Sequence, residues 1–303
     1  MNLRYDDDFI EASVFIATSG KRPGVAPLQI RRFHGARERC YNILDPDERN
    51  AAFFRLHLDW FREWGLEKLL LGLLDEYPLL PPSLNTLAFR KVRSRKDEAA
   101  ELYISAESGR SGVVAMRPER FERDDAVFHL LRHEFTHLSD MVNPAFAYAP
   151  EIRARGMSPS QQRIVRERYR LLWDISIDGR LGRYVEGQRH RALFDSAFPF
   201  WPEARRHEIY MHLWTTRCPR HEELMDLASD PRDLSHADRP LPGGACPLCG
   251  FPTFEWAKMT ALDCATLARI EREFPGWSST QGACNRCAEI YATTGRYIDA
   301  IPQ

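Results

Sequence analysis

The chain has 303 residues, of which 44% are hydrophobic and 28% are charged, and its formal net charge is −1. This composition is typical of a soluble globular protein, and the length favours one large domain with a small appendage, or two domains. A net charge this close to zero argues against a general attraction to nucleic acid or to an anionic membrane.

The N-terminal sequence does not predict an export signal. MNLRYDDDFIEA contains three consecutive aspartates and has no apolar run behind a basic start, unlike a secretory signal peptide. The most apolar segment, residues 66–74, is interrupted by charges and is far shorter than the roughly 20 residues of a membrane span. We therefore expect a cytoplasmic protein with no membrane partner.

The first half of the chain is predicted to combine helices with a small sheet. Apolar residues at helical spacing predict one or two core helices within residues 35–75. Short strands are predicted over residues 85–92, 100–106 and 112–116, with Ser-Gly pairs marking the turns. The expected fold class is therefore α+β, with a small antiparallel sheet packed on helices.

Three further helices are predicted after the sheet. The first begins at Asp124 or Asp125, either of which can cap it, and stops before Pro144. The second begins with the capping box Ser158-Pro159-Ser160-Gln161 and runs to about Gly182. The third covers about residues 203–216.

The sequence ADRPLPGG at residues 237–244 is typical of a linker and divides the chain into two predicted domains. Residues 1–236 would form the main domain, with a helical part to about residue 82, a core region over about residues 83–185 and a helical remainder. Residues 237–303 would form a smaller domain that contains two CxxC pairs.

The first of the three helices carries HEFTH at residues 133–137. Positions i and i+4 share one face of a helix, so His133 and His137 can offer two nitrogens to one metal ion while Glu134 reaches a water on that metal. A helix that carries two histidines by chance is the alternative. The apolar surroundings favour the metal site, because an unpaired polar group there is costly. His129 is interpreted as a packing or supporting histidine.

The second helix carries two acids, Asp174 and Asp178, four residues apart within an apolar stretch. Two carboxylates on the buried side of a helix require a cation or a strong donor. A catalytic zinc takes three protein ligands and keeps a fourth position for water, so one of these aspartates can supply the third ligand. The alternative is that they pair with Arg170, Arg180 or Arg183.

HEFTH followed by a helix with this acidic pair resembles the gluzincin branch of the zincin metallopeptidases, over roughly residues 85–185. The resemblance implies that Asp174 binds zinc and that Asp178 orients a zinc-binding histidine. The family's usual first acid is glutamate, which is one methylene longer than Asp174. The reverse assignment, with Asp178 as the ligand and Asp174 outside it, therefore stays open.

The same resemblance implies a zinc-dependent peptidase. Glu134 would act as general base, taking a proton from a water whose pKa the zinc lowers to about 7. Tyr169, Arg180 and Tyr184 are candidate oxyanion donors. The strand ending near Met116 could pair with an extended peptide through its edge.

Four of the seven cysteines form two CxxC pairs, Cys246 with Cys249 and Cys284 with Cys287. Two such turns can hold one zinc ion with four thiolates, and their surroundings resemble zinc-ribbon knuckles. The span between the pairs exceeds the usual length of roughly 15 to 20 residues, so we predict an elaborated ribbon with a structural zinc. Two redox-active pairs are the alternative. The aromatic residues of the span, Phe251, Phe254, Trp256 and Trp277, are expected to pack against the main domain.

Two other functions stay open at this point. One is a SprT-like protease that acts on DNA-bound proteins, although that family takes a third histidine soon after HExxH and none occurs here between His137 and His190. The other is a non-catalytic interaction module with two structural zinc ions. The favoured partner is a peptide or protein substrate, and the basic run at residues 89–96 leaves nucleic acid as a weaker alternative.

Overall fold

The computed structural model describes residues 1–20, 22–105, 109–150, 157–229, 243–277 and 279–298. Contacts between Cα atoms divide the chain into two compact units, Met1–Tyr148 and Ala149–Gln303. The predicted linker lies mostly outside the described residues, since residues 237–242 are not among them.

The first unit begins with a short strand and five helices. Helix α3 starts where the carboxylate of Asp45 accepts a hydrogen bond of 2.8 Å from the N–H of Glu48. Pro46 takes the first helical position, where no N–H is needed. The elements are β1 (Asn2–Tyr5), α1 (Asp7–Thr18), α2 (Pro27–Cys40), α3 (Pro46–Glu63), α4 (Leu66–Gly72) and α5 (Leu80–Ser83).

Strands β2 (Thr86–Lys91), β3 (Ala99–Ser105) and β4 (Gly109–Met116) confirm the three predicted strands. They join β1 in the order β1-β2-β4-β3, in which β1 and β4 both run parallel to β2 and β3 runs antiparallel to β4. The sheet is therefore mixed: the prediction of antiparallel pairing is confirmed for β3 with β4 and is wrong for the two pairings of β2. Strand β1 is too short to show an alternating pattern, and α1 to α5 supply the long crossover that parallel pairing needs.

The order of the strands also corrects the expectation about the free edge. Strand β4, which ends at Met116, pairs with β2 on one side and with β3 on the other. Strand β3 is the antiparallel strand at the edge of the sheet. An extended peptide could therefore add to β3 and not to β4.

Helix α6 spans Asp124–Val142 and contacts β3, α4 and α5. Arg123 occupies the cap position, so the predicted cap by Asp124 or Asp125 is wrong. Both acids lie in the first turn instead, where the helix dipole favours negative charge. The face towards the core carries four fully buried side chains, Val127, Leu131, Phe135 and Leu138.

The second unit begins with four helices. The predicted capping box starts α7, because the N–H of Gln161 donates to Ser158 and the Gln161 side chain accepts from the Ser158 N–H. Gly182 ends α7 with a φ of 66°, a conformation that glycine adopts without steric cost. The helices are α7 (Pro159–Leu181), α8 (Tyr184–Ala197), α9 (Glu203–Thr215) and α10 (His221–Ser229).

The C-terminal part of the second unit pairs a small hairpin with two helices. Strands β5 (Gly244–Ala245) and β6 (Pro252–Thr253) are antiparallel, and helices α11 (Cys264–Glu273) and α12 (Asn285–Ile298) follow. Helix α11 lies in the long span between the two CxxC pairs. Within the described residues, no helix combines the length and the apolarity needed to cross a membrane.

Glu98 connects the start of β3 to the segment that follows β4. Its buried carboxylate accepts hydrogen bonds from Arg120 Nε at 2.9 Å and Nη2 at 2.6 Å, and from the N–H of Arg117 at 3.2 Å. Burial alone raises the pKa of the Glu98 carboxyl. The hydrogen bonds and charges of the two arginines outweigh burial and hold this pKa below its ordinary value.

We predict that Glu98→Gln lowers the free energy of unfolding by about 3 to 5 kcal/mol, because Arg120 loses its buried counter-charge. Since folding depresses the pKa of Glu98, this stabilisation is present at neutral pH and is lost as the pH falls through the folded-state pKa. Denaturant titrations at neutral and acidic pH should show that the free energies of unfolding of the wild-type protein and Glu98→Gln become equal at acidic pH. The control Glu101→Gln removes a half-exposed pair with Arg90 and should cost less than about 1 kcal/mol; an equal loss in both variants would contradict the prediction.

Candidate metal centres

The four predicted cysteine ligands converge in the second unit. The Sγ atoms of Cys246, Cys249, Cys284 and Cys287 all lie within 4.8 Å of one another. The first pair lies on the turn between β5 and β6, where Gly250 has a φ of 72°, and the second lies at the start of α12. The four cysteines thus form one cluster that could bind a metal ion, compatible with a zinc ribbon.

Backbone N–H groups point at the sulfur atoms of this cluster. Cys284 donates to the Sγ of Cys246 at 3.3 Å, and Cys287 donates to the Sγ of Cys284 at 3.4 Å. Burial raises the pKa of the Cys246 thiol, but N–H donors from Cys284, Cys249 and Leu248 outweigh it and lower the pKa to about 7. Burial raises the pKa of Cys284 and of Cys287.

The donor set fits zinc in a closed structural site. Four sulfur ligands match the preference of Zn²⁺ for thiolates, and a bound cation stabilises the thiolate form that burial alone opposes. The Sγ atoms of Cys249 and Cys284, which belong to different CxxC pairs, are only 3.9 Å apart. Because sulfur atoms from different CxxC pairs lie this close together, the cluster suits one shared metal ion better than two separate redox-active pairs.

The aromatic residues near the cluster divide into buried and exposed ones. Trp277 is buried and donates from Nε1 to the carbonyl of Gly282 at 2.9 Å. Phe251 and Phe254 are 70% and 64% exposed. The expectation that the aromatic residues of this span pack is therefore wrong for these two phenylalanines.

Helix α6 of the first unit presents its two motif histidines on one face. The ring centroids of His133 and His137 are 4.9 Å apart, as expected for positions i and i+4. His137 is buried and His133 is half-buried. His129, four residues before His133, is exposed, so its predicted role in packing is wrong.

Glu134 is buried between the helix and the edge strand. Its Oε2 accepts a hydrogen bond of 2.6 Å from the backbone N–H of Ala100 on β3, and its Oε1 lies 3.2 Å from Nδ1 of His133. The N–H therefore fixes the direction of the carboxylate with a charge-assisted hydrogen bond. The sequence does not indicate this role of Ala100, because a backbone donor carries no side-chain signal.

Tyr77, just before α5, supports the same turn of α6. Its hydroxyl donates to the carbonyl of Arg132 at 2.7 Å and lies 3.1 Å from the Thr136 hydroxyl. Its ring meets Phe135 edge-on, with centroids 5.6 Å apart. Tyr77 therefore holds the residues on either side of His133 and Glu134, and no local pattern in the sequence indicates this contact.

The two predicted aspartates lie on α7 in the second unit, Asp174 half-buried and Asp178 fully buried. Asp178 is 2.6 Å from Nδ1 of His190 on α8 and 3.6 Å from Nη1 of Arg183. The pairing with Arg183 is the arginine alternative raised above. The sequence does not predict His190 as a partner, because α8 has no clear helical signal in the sequence.

The candidate oxyanion donors have partners near α7. The hydroxyl of Tyr169 lies 2.7 Å from Nδ1 of the buried His221, and Arg180 Nε donates to the carbonyl of Ser176 at 3.3 Å. The side chain of Tyr184 lies outside the described part of the chain. The role of each as an oxyanion donor stays a prediction.

Comparisons with models of protein families, with curated proteins and with solved structures find no match to this chain. The residues of the two candidate centres therefore carry everything that can be inferred about activity. The likeness to gluzincins stays a prediction from the sequence.

We predict that Cys249→Ser lowers the zinc content by about one ion per molecule and unfolds the hairpin with α11 and α12, since structural zinc contributes roughly 10 to 16 kcal/mol to folding. Elemental analysis and circular dichroism would measure this. The matched controls Cys40→Ser and Cys218→Ser lie outside the cluster and should keep full zinc. Retention of all zinc by Cys249→Ser would contradict a four-thiolate site.

Proposed function

We propose that this protein is a zinc-dependent metallohydrolase that cleaves peptide bonds. The observation that carries the proposal is the buried Glu134, whose carboxylate is held by the N–H of Ala100 next to the paired imidazoles of His133 and His137. A buried carboxylate beside two imidazoles on one helical face is the arrangement that metal-assisted hydrolysis needs. The gluzincin-like sequence pattern supports the same activity.

In this proposal His133, His137 and Asp174 hold the zinc ion. Two imidazoles and a carboxylate are a usual ligand set for a catalytic zinc, and the gluzincin-like sequence pattern implies these three residues. Asp178 already has partners in His190 and Arg183, which favours Asp174 as the third ligand. When bound, zinc would polarise the scissile carbonyl and lower the pKa of the attacking water.

Glu134 supplies the proton transfers. Its carboxylate would accept a proton from the attacking water and then donate it to the leaving amine. The Ala100 N–H holds Oε2, which orients the carboxylate with its Oε1 3.2 Å from Nδ1 of His133. Burial excludes bulk water from this carboxylate, which strengthens each of its electrostatic interactions.

Strand β3 would position the substrate. Its Ala100 N–H points away from β4 towards Glu134, and every second residue of a strand presents its backbone groups in the same direction. Leu102 and Ile104 therefore have outward backbone groups that could pair with an extended peptide. Pairing at these two residues would place the peptide along β3, the edge strand whose Ala100 N–H holds the general base Glu134.

The central test is Glu134→Gln. We expect hydrolysis of a quenched fluorescent peptide library to fall roughly 10²- to 10⁴-fold, because the general base is lost, while zinc content is unchanged. Glu119→Gln, an exposed change just before α6, is the matched control and should keep full activity. A wild-type protein that cleaves neither peptides nor unfolded protein while its zinc sites are full would refute the proposal.

The third ligand can be assigned by a pair of variants. Asp174→Asn should lower the zinc content by about one ion per molecule, since a neutral amide is a poor zinc ligand. Asp178→Asn should keep its zinc and lower stability instead, because Arg183 and His190 lose a buried partner. Elemental analysis combined with thermal unfolding separates the two outcomes; zinc loss only in Asp178→Asn would reverse the assignment.

A further inference from the structure

A pocket lies among helices α1, α2 and α3 of the first unit, and none of its lining residues belongs to either metal centre. Its volume is about 360 Å³, at the lower end of the range for small-molecule sites. The lining carries both signs of charge together with aromatic rings. It consists of Asp7, Glu11, Arg37, Tyr41, Asn50, Phe53, Phe54 and His57.

The cation of this pocket is held by aromatic rings and not by an acid. The guanidinium carbon of Arg37 lies 5.1, 5.2 and 5.6 Å from the ring centroids of Phe15, Tyr41 and Phe53. Its Nε is buried and has no hydrogen-bond acceptor among the residues that the structure describes. The three rings hold the guanidinium of Arg37 in place. A buried donor without an acceptor is costly, so Arg37 has unused capacity to bind an anion.

His57 adds a second unused polar atom to the same pocket. The residue is 3% exposed, and no acceptor or donor within the described chain meets its Nε2. Its ring is stacked on Phe53 with centroids 6.1 Å apart. Burial lowers the pKa of His57, an effect that the charge of Glu11 opposes and that of Arg37 reinforces. The neutral ring can donate from Nε2 to an oxygen of a ligand.

Two carboxylates complete the lining. Asp7 and Glu11 are four residues apart in the first turns of α1 and therefore share a face of the helix. In the described part of the chain, neither forms an ion pair with Arg37 or with another cation. The pocket thus holds a fixed positive group and a negative pair that do not neutralise each other.

We propose that this pocket binds a small zwitterion, a free α-amino acid or a short peptide, with its carboxylate on Arg37 and His57 and its ammonium group on Asp7 and Glu11. Such a ligand satisfies each unused charge, whereas a simple anion or cation would satisfy only one of them. Phe53 and Phe54 offer aromatic surface to its side chain. Amino acids and short peptides are also products of peptide hydrolysis, but the binding itself does not depend on the activity proposed above.

The test uses the full-length protein and L-phenylalanine as the probe, with binding followed by isothermal titration calorimetry. We expect saturable binding at one site and a thermal midpoint that rises with ligand concentration. N-acetyl-L-phenylalanine lacks the ammonium group and L-phenylalaninamide lacks the carboxylate. Each should bind roughly 10- to 100-fold more weakly, because one charge-assisted contact is lost.

Substitutions in the pocket test whether the ligand binds there. Arg37→Gln and Asp7→Asn should each weaken L-phenylalanine binding by roughly 10- to 100-fold. The matched controls Arg39→Gln on α2 and Asp8→Asn on α1 change exposed residues of the same helices outside the pocket and should bind normally. Should Arg37→Gln fail to fold, the analogue series on the wild-type protein still decides the question.

Three results would overturn the proposal. They are no saturable binding of L-phenylalanine, equal binding of the analogues that lack one charge, or equal binding by Arg37→Gln and Arg39→Gln. The assay contains no hydrolysis step, so an inactive protein that binds the zwitterion would refute the proposed peptidase and leave this site standing.

Discussion

The hydrogen bond from the Ala100 N–H to the carboxylate of Glu134, 2.6 Å long, is the contact on which the candidate site depends. An N–H at a sheet edge and a carboxylate inside a protein are both costly when unpaired, and each provides the partner that the other lacks. The contact therefore fixes α6 against β3. Two residues earlier, Glu98 ties the start of the same strand to Arg120, so the strand that positions Glu134 is itself anchored by a buried charge pair.

The two candidate metal centres differ in chemistry in a way that matches their surroundings. The cysteine cluster offers four sulfur atoms and leaves no position for water, which suits a structural ion. Helix α6 offers only two imidazoles, with the buried carboxylate of Glu134 beside them, and two nitrogen ligands alone leave coordination positions of a zinc ion open.

Several buried charges in the described residues face an opposite charge. Glu98 is paired with two arginines and Asp178 with His190 and Arg183. Arg37 is instead held by aromatic rings, with Asp7 and Glu11 lining the same pocket and no ion pair joining them in the described residues. A ligand that carries both a positive and a negative charge could pair with both kinds of group in this cavity.

The sequence by itself determined the features whose signals are local. The spacing of HEFTH places two histidines on one helical face, the capping box at Ser158 starts α7, and the two CxxC turns identify one cluster. Only the tertiary structure decided the parallel pairing of β1, the edge position of β3, the Ala100 contact and the pocket around Arg37. These features join residues distant in sequence through backbone atoms or shared cavities, and such contacts leave no periodic pattern along the chain.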